Sequence, residues 1–425
     1  MTEEKDRLTL LSLDMEKETD GDALKANETY KLLKDYIHYR RCTADRNRHV
    51  VIIGGGIIGL MSAFYMRKQG FHVTIIEKKS FGAGASGRNG GGVLAMGREL
   101  AEIPFARLSI ELWGSLSPVD MKFCQRGHLM IACNDYERQK LERAAELYTL
   151  SGLDIKLCSK KQVQGVLPDV CTQISGGIFS PVDSQSYPFT TITGLQKVLK
   201  QNGVALLSHT EVIGFETDGS YIKHVVTSKG NIKGDIFVVS AGPWTGEITE
   251  WMKEEIKIQP RRSQIMVTEI VKEKKIGPFV SGNGLYLKQT HAGNLLYGGG
   301  GGWEQTGFDV SNTTFAIQLL TKRFLELFPG YRTKQLLRAF AGTVEITPDH
   351  LPYFGRLEAY DNAYISAGYN GHGYGMSAIM GKLLSCLAAD HDDDSIHVDD
   401  VTSILSFVSP KRFQTEKASG GTVYE

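Results

Sequence analysis

The chain has 425 residues, 41% apolar and 23% charged, which is long enough for two domains and average for a soluble globular protein. Lysine plus arginine and aspartate plus glutamate both number 48, so no global field draws the chain to nucleic acid or to an anionic membrane. The six cysteines (Cys42, Cys124, Cys133, Cys158, Cys171, Cys386) are scattered without a CxxC pair, which argues against a metal site or a disulfide framework and for reduced thiols in a cytoplasmic protein.

In chain order, residues 1–48 form an extension rich in Lys, Glu and Asp that reads as neither a secretory signal nor a membrane span, for which ~18 consecutive apolar residues would be needed. Asn27–Arg41 predicts an amphipathic helix capped by Asn27, either a solvated or docking appendage or a contact for a partner subunit. The apolar run Val50–Ile53 predicts a buried strand of a parallel sheet. Gly54–Gly59 turns the chain into a helix through about Met66, Gly70 caps it, and Phe71–Glu77 is the next strand, completing a βαβ unit. From Phe123 onward the pattern predicts strands at Gly127–Ala132, Gly177–Ser180, Val204–Leu207, Ile222–Thr227, Ile236–Ser240, Ile258–Ile270, around Tyr286 and Leu295, and at Ala363–Ala367. Helices are expected at Glu137–Ser151, at Thr193–Gln201 and from Met376, and the run Gly298–Gly302 reads as a flexible turn. The fold class is α/β, a Rossmann-like dinucleotide domain with a second α+β substrate domain on a mixed or antiparallel sheet. The first domain is expected to be discontinuous (49–122, 176–255 and 335–413), the second to hold 123–175 and 256–334, and 414–425 to be a tail.

The run VVIIGGGIIGL places Gly54 for a tight turn, Gly56 for close approach of a pyrophosphate, and Gly59 for close helix–strand packing. Ile57 and Ile58 open a helix whose free N–H groups and partial positive charge face the phosphates. Glu77, ending the following strand, accepts hydrogen bonds from a ribose diol and disfavours a 2′-phosphate. NAD and FAD share this fingerprint. The next loop, KKSFGAGASGRNGGGV, favours FAD: its small residues let a planar ring and ribityl chain lie on the backbone, with Ser86, Arg88 and Asn89 as donors among Gly90, Gly91 and Gly92.

GGGIIGL, a strand ending in Glu77 and GASGRNGGGV together resemble the D-amino acid oxidase family, which includes glycine oxidase and sarcosine oxidase. Gly242–Trp244, TPDHLPYFG (Thr347–Gly355) and AGYNGHGYGMSAIMG (Ala367–Gly381) follow in the family's order, and the resemblance runs from His49 to Phe413. It implies FAD and oxidation of a C–N bond of an amino acid or amine by hydride transfer to flavin N5. Further cofactor contacts are implied at Lys78, Val212, Ala241, Gly242, Trp244 and Gly342. The turn Gly368–Gly375 and the helix after it resemble the segment that aims N–H groups at the flavin pyrimidine edge, through Gly371, His372, Gly373, Tyr374, Gly375 and Met376, with His372 also readable as structural. CQRGHLMIA (Cys124–Ala132) and YLKQTHAGNLLYGGG (Tyr286–Gly300) are similar to segments of the sarcosine oxidase β-subunit, hydroxyproline dehydrogenase and opine oxidase group, whose members oxidise secondary amines in hetero-oligomers.

Departures from the family pattern carry information too. Gly342 stands where monomeric sarcosine oxidase attaches its flavin through Cys, which implies non-covalent FAD; Cys133 stands near the FMN-carrying His of β-subunits. Val344 replaces the carboxylate-binding Arg of glycine oxidase, and Leu296 falls near the oxygen-activating Lys, favouring an electron acceptor other than oxygen. For the substrate carboxylate the candidate cations are Lys288, Arg98 and Arg338, each also readable as a surface salt bridge. Tyr286 and His291 are candidate polar wall residues or ordinary packing residues. The expected partners are therefore an amino acid or amine, oxygen or another acceptor, and other copies or chains in an oligomer. Two alternative readings stand beside this: a 2-hydroxy acid oxidoreductase, and a flavoprotein subunit active only with partner chains.

Overall fold

The computed structural model describes residues 17–39, 47–117, 119–273, 276–389 and 404–413. Arg40, Arg41, Cys42 and the tail 414–425 lie outside them. The chain divides into two compact units. One takes the described residues of Leu33–Gly87, Thr191–Pro260 and Val344–Glu425; the other takes those of Met1–Leu32, Arg88–Thr190 and Arg261–Thr343.

The first, Rossmann-like unit is built on a six-stranded sheet in the order Tyr353–Arg356, Ala363–Ala367, Ile236–Val239, His49–Ile53, His72–Ile76, Ala205–Leu207. All neighbours run parallel except Tyr353–Arg356, which pairs antiparallel at one edge. Strand His49–Ile53 is central and is buried from Val50 to Ile53, because its β-branched side chains are covered on both faces. The next helix spans Ile57–Gln69 and is buried from Ile57 to Met66; Gly70, at φ 104°, ends it by donating its N–H to the last turn. Helix Gly373–Ala389 packs on it so closely that a Cβ at Gly381 would lie 2.7 Å from the Met61 carbonyl carbon. A separate antiparallel sheet follows from Val212–Asp218, Tyr221–Thr227 and Gly230–Lys233.

The second unit carries an eight-stranded mixed sheet: Leu336–Ile346, Gln259–Ile270, Asn294–Gly299, Leu285–Gln289, Phe279–Gly282, His128–Ala132, Gly176–Ser180, Lys156–Cys158. Phe279–Gly282 runs parallel to His128–Ala132 within otherwise antiparallel pairings of known register. Leu129, Ile131, Leu287, Leu295, Tyr297 and Phe324 are in its core.

Three differences from the sequence expectation have local causes. The first described helix spans Asp20–Tyr39 rather than starting at Asn27, because Thr19 and Asp22 cap it reciprocally: the Asp22 N–H donates to Thr19 Oγ1 (3.2 Å) and the Thr19 N–H to Asp22 Oδ2 (3.0 Å). Asn27 instead sits mid-helix and accepts from Arg107 Nη1 at 2.9 Å. Gly298 and Gly299 belong to a strand, since a Cβ on Gly298 would approach Gln264 O to 2.6 Å and only bare backbone fits beside that neighbour. Strand Gly176–Ser180, expected with the dinucleotide domain, pairs with His128–Ala132 in the eight-stranded sheet, and residues 88–122 also belong to that unit. Among the described residues no helix is long and apolar enough to cross a membrane, and no cluster could hold a metal ion.

The helix contact at Gly381 yields a test. Gly381→Leu is expected to destabilise the protein by about 1–3 kcal/mol through overpacking, seen as a lower thermal unfolding midpoint, while Gly330→Ala, where nothing crowds a Cβ, leaves it near wild type.

Candidate functional site

The C-terminal ends of the parallel strands hold the glycine-rich segments. Gly54, just past His49–Ile53, has φ 114° and no room for a Cβ, which would sit 2.3 Å from Ser240 O. At Gly59 a Cβ would come within 2.1 Å of Gly54 O, so that helix and turn can approach only through glycine. The helix starts without a side-chain cap at Gly56; Ser86 Oγ instead accepts the Ile57 N–H at 2.9 Å. Ile57 and Ile58 have buried side chains, and with the Ile57 N–H taken by Ser86, what this first turn offers a ligand is the backbone N–H of Ile58.

Glu77 is held on this crest by its own backbone partners: Oε2 accepts the Gly55 N–H (2.9 Å) and Oε1 the Lys79 N–H (2.7 Å). The Lys78 ammonium lies 4.3 Å from the centre of the Trp244 ring, and burial lowers its pKa from the ordinary lysine value. Trp244 also packs on Gly84, so Lys78, Trp244 and the loop after Glu77 come together as one wall. Val212 is buried and paired with Thr227, two residues beyond Thr210, whose N–H donates to Glu77 O at 2.9 Å. Ala241 and Gly242 follow the neighbouring strand Ile236–Val239, with Gly242 at φ 56°.

The third segment, Gly368–Gly375, follows Ala363–Ala367, the strand beside Ile236–Val239. It is locked by Asn370, whose Oδ1 accepts the Thr347 N–H (2.9 Å) while Nδ2 donates to Gly368 O (2.8 Å). Gly371 is bare backbone here, and a Cβ on Gly373 would press on Tyr369 at 3.1 Å. The helix begins at Gly373, earlier than the Met376 start expected, because the Met376 N–H already donates to His372 O at 3.2 Å. His372 donates its own N–H to Tyr369 O at 2.7 Å, and the Tyr374 hydroxyl donates to Thr191 Oγ1 at 2.9 Å. Gly375 and Met376 are buried in the helix. One functional group escaped the sequence reading. Glu345, near the end of Leu336–Ile346, accepts the Tyr369 N–H on Oε1 at 3.0 Å, leaves Oε2 buried without a hydrogen-bond partner, and is raised by burial to a pKa of about 6. Its only sequence signal is an acid two residues before the Thr347-Pro348-Asp349 segment.

The three segments suit a dinucleotide. Helix N–H groups and glycine backbone can meet a pyrophosphate, Glu77 a ribose, and the crest toward Gly242 and Gly368 the second half of the molecule.

In the other unit, Arg88 donates from Nη1 to Ala341 O at 3.0 Å, and a Cβ on Gly342 would crowd the Arg88 Cβ at 3.0 Å. Asn89 Oδ1 accepts the Gly91 N–H at 2.7 Å and folds the turn back; Gly92 begins a short strand paired with Ser184–Gln185. Around that turn the structure brings together three of the predicted residues and one that was missed. A Cβ on Gly91 would lie 2.9 Å from Lys288 Nζ, and one on Gly90 would lie 2.8 Å from the Tyr286 ring. Lys288 is buried, donates to Ser186 O at 3.0 Å, and lies 5.0 Å from the centre of the Tyr187 ring. His291 stacks on Tyr187 (5.3 Å) and donates its backbone N–H to the Tyr187 hydroxyl at 2.7 Å. Burial pushes the Tyr286 phenol above its ordinary pKa and lowers Lys288 to about 8.

The other two cations do not join this cluster. Arg98 is buried, donates Nε to Leu94 O at 3.2 Å and has Glu102 and Asp183 to answer its charge; Arg338 is exposed over the Phe340 ring. Leu296 is the cross-strand partner of Lys288 and so shares its sheet face. Cys133 packs against the core, with burial, then Glu137, raising its thiol pKa to about 12.

Residues 49–387 match the family model described as DAO, FAD dependent oxidoreductase. The β subunit of sarcosine oxidase from Arthrobacter sp is 26% identical over 342 residues, 76% of this chain and 83% of that protein. Glycine oxidase from Geobacillus kaustophilus is 23% identical over 351 residues, covering 80% and 92%. Among solved structures, an L-proline dehydrogenase from P. horikoshii superposes with a TM-score of 0.79 at 29% identity, over 87% of this chain and 98% of the other. With four fifths of its length inside the family model and the dinucleotide crest in place, this chain belongs to the DAO family of FAD-dependent oxidoreductases acting on amino acids and amines.

Proposed function

We propose that the protein oxidises the C–N bond of an amino acid with a secondary amine, cyclic amino acids foremost, and that Lys288 holds the substrate carboxylate. The buried ammonium of Lys288 carries this reading. A desolvated cation is costly unless paired, and its hydrogen bond to Ser186 O uses one of three N–H donors. A carboxylate supplies the missing charge. Tyr286, Tyr187 and His291 form the wall beside it, and the similarity to an L-proline dehydrogenase supports the cyclic substrate.

When bound, FAD supplies the hydride acceptor at N5. The protein's part is to fix the substrate carboxylate, to exclude water from the amine, and to favour the neutral amine that hydride transfer needs. Arg98 and Arg338 have no place in this scheme, since one is answered internally and the other is exposed. FAD is held without a covalent bond, as Gly342 has no nucleophile and Arg88 crowds the adjacent space. Relatives named as subunits support a second reading, in which turnover requires partner chains.

Three outcomes test these assignments. Anaerobic mixing of the FAD-loaded chain with proline, hydroxyproline, sarcosine and opines is expected to bleach the visible flavin band. Bleaching by 2-hydroxy acids instead would favour the alcohol-oxidising alternative, and bleaching only after partner chains are added would favour the subunit reading.

Lys288→Met is expected to lower kcat/KM by about 2–4 kcal/mol, roughly 30- to 1,000-fold, with FAD still bound. The sign with pH follows from the lowered pKa. The ammonium is charged below about 8 and is lost as pH rises through that value, so KM should rise on the alkaline side. Lys288→Arg, which stays charged, should remove that alkaline limb even if it binds substrate less well.

Denaturing the holoprotein in acid should release all of its flavin to the supernatant. Flavin fluorescence remaining with the precipitated chain would contradict a non-covalent site.

A further inference from the structure

Glu345 has a place in the fold that cofactor binding and substrate capture leave unexplained. Its Oε1 accepts the Tyr369 N–H at 3.0 Å, which anchors the turn between Ala363–Ala367 and helix Gly373–Ala389. Its Oε2 is buried without a hydrogen bond of normal geometry, although the Gly368 N–H also favours the charged carboxylate, and it lies 3.3 Å from where a Cβ on Gly242 would stand. The carboxylate therefore lies beside the ends of two adjacent parallel strands, Ile236–Val239 and Ala363–Ala367. Leaving a buried carboxylate oxygen unpaired costs free energy, so a neutral side chain would be the stable choice if packing were its whole role.

The sheet order says which half of the cofactor this carboxylate meets. The pyrophosphate site is at the Ile57 helix, beyond the central strand His49–Ile53. Glu77 follows His72–Ile76 on one side and takes the adenosine ribose. The second half of the dinucleotide must then extend to the other side, over Gly242 and Gly368–Gly375, which is where Glu345 sits.

We propose that Glu345 sets the reduction potential of the bound flavin: a fixed negative charge behind the Gly242 and Tyr369 backbone, opposing the charge that reduction brings. Two-electron, one-proton reduction adds one negative charge to a flavin, and in a low-dielectric site a nearby carboxylate disfavours that gain. The N-terminus of helix Gly373–Ala389 acts in the opposite sense, so the potential reflects the difference of the two. Burial brings the pKa of Glu345 to about 6, so the carboxylate is ionised at pH 8. Glu345 is a positioning residue in this scheme, acting through charge and through the turn it anchors.

The test is the midpoint potential of the FAD-loaded protein, by reductive titration against a reference dye at pH 8. No substrate is added, so the result is independent of the substrate assignment. Glu345→Gln keeps an acceptor for the Tyr369 N–H and removes the charge. It is expected to retain FAD and to shift the two-electron equilibrium toward reduction at least tenfold, about 30 mV upward. Glu345→Ala, also neutral, should shift the same way with weaker FAD binding. Glu345→Asp keeps the charge and should stay close to the wild-type potential. An unchanged potential in whichever neutral variant folds, or an equal rise in Glu345→Asp, would overturn the proposal.

Discussion

The absence of any space for a Cβ at Gly54 and Gly59 is the constraint on which the cofactor half of this protein depends. Gly54 must turn at positive φ under the Ser240 carbonyl, and Gly59 must let the helix rest against the Gly54 carbonyl. Only then does the N-terminus of Ile57–Gln69 stand at the end of the central strand, where a pyrophosphate can reach it. The same close approach recurs between Ile57–Gln69 and Gly373–Ala389, where Gly381 meets the Met61 backbone. Helix packing and access to the proposed phosphate site thus rest on one requirement, bare backbone at a few positions.

Each unit also holds one charged group that is expensive unless something answers it. In the eight-stranded unit the Lys288 ammonium lies buried beside Gly91 and the Tyr187 ring, with one carbonyl as partner. In the Rossmann-like unit the Glu345 carboxylate has one oxygen satisfied and one unpaired. Both show shifted pKa values of the same origin, desolvation disfavouring the charged form, which lowers the lysine and raises the acid. Stability alone would not select either, and groups of this kind concentrate at functional sites. Arg98 shows the contrast. It is buried and its pKa is lowered by desolvation too, yet Glu102 and Asp183 offset part of that burial from inside the fold.

Much of the fold was legible because its signals are local. The buried strand Val50–Ile53, the cap at Gly70, strand Ile236–Val239 and strand Ala363–Ala367 lie within a residue or so of where apolar runs and turn residues put them. The misplacements are also instructive. The start of the first described helix was set by the Thr19–Asp22 pair rather than by Asn27, a contest between two good caps that spacing does not decide. Gly298 and Gly299 looked like a turn because glycine usually marks one, yet here they serve strand packing against Gln264 and Ile265. Strands Gly176–Ser180 and His128–Ala132 were both found, but their pairing was not, since four or five apolar residues carry no label for the sheet they will join.

The sequence by itself determined the cofactor: three glycines, a following strand ending in Glu77 and the small-residue loop after it lie within one βαβ unit, and their chemistry is carried by backbone freedom and short spacing. It also proposed Lys288, Tyr286 and His291, though with no means of ranking them against Arg98 and Arg338. Tertiary structure alone made that ranking and found Glu345. Lys288 is singled out by Gly91 and Ser186, and Glu345 by Gly242 and Tyr369, partners far away along the chain. Burial and the pairing of charges arise only when such distant segments meet, and no local periodicity records them.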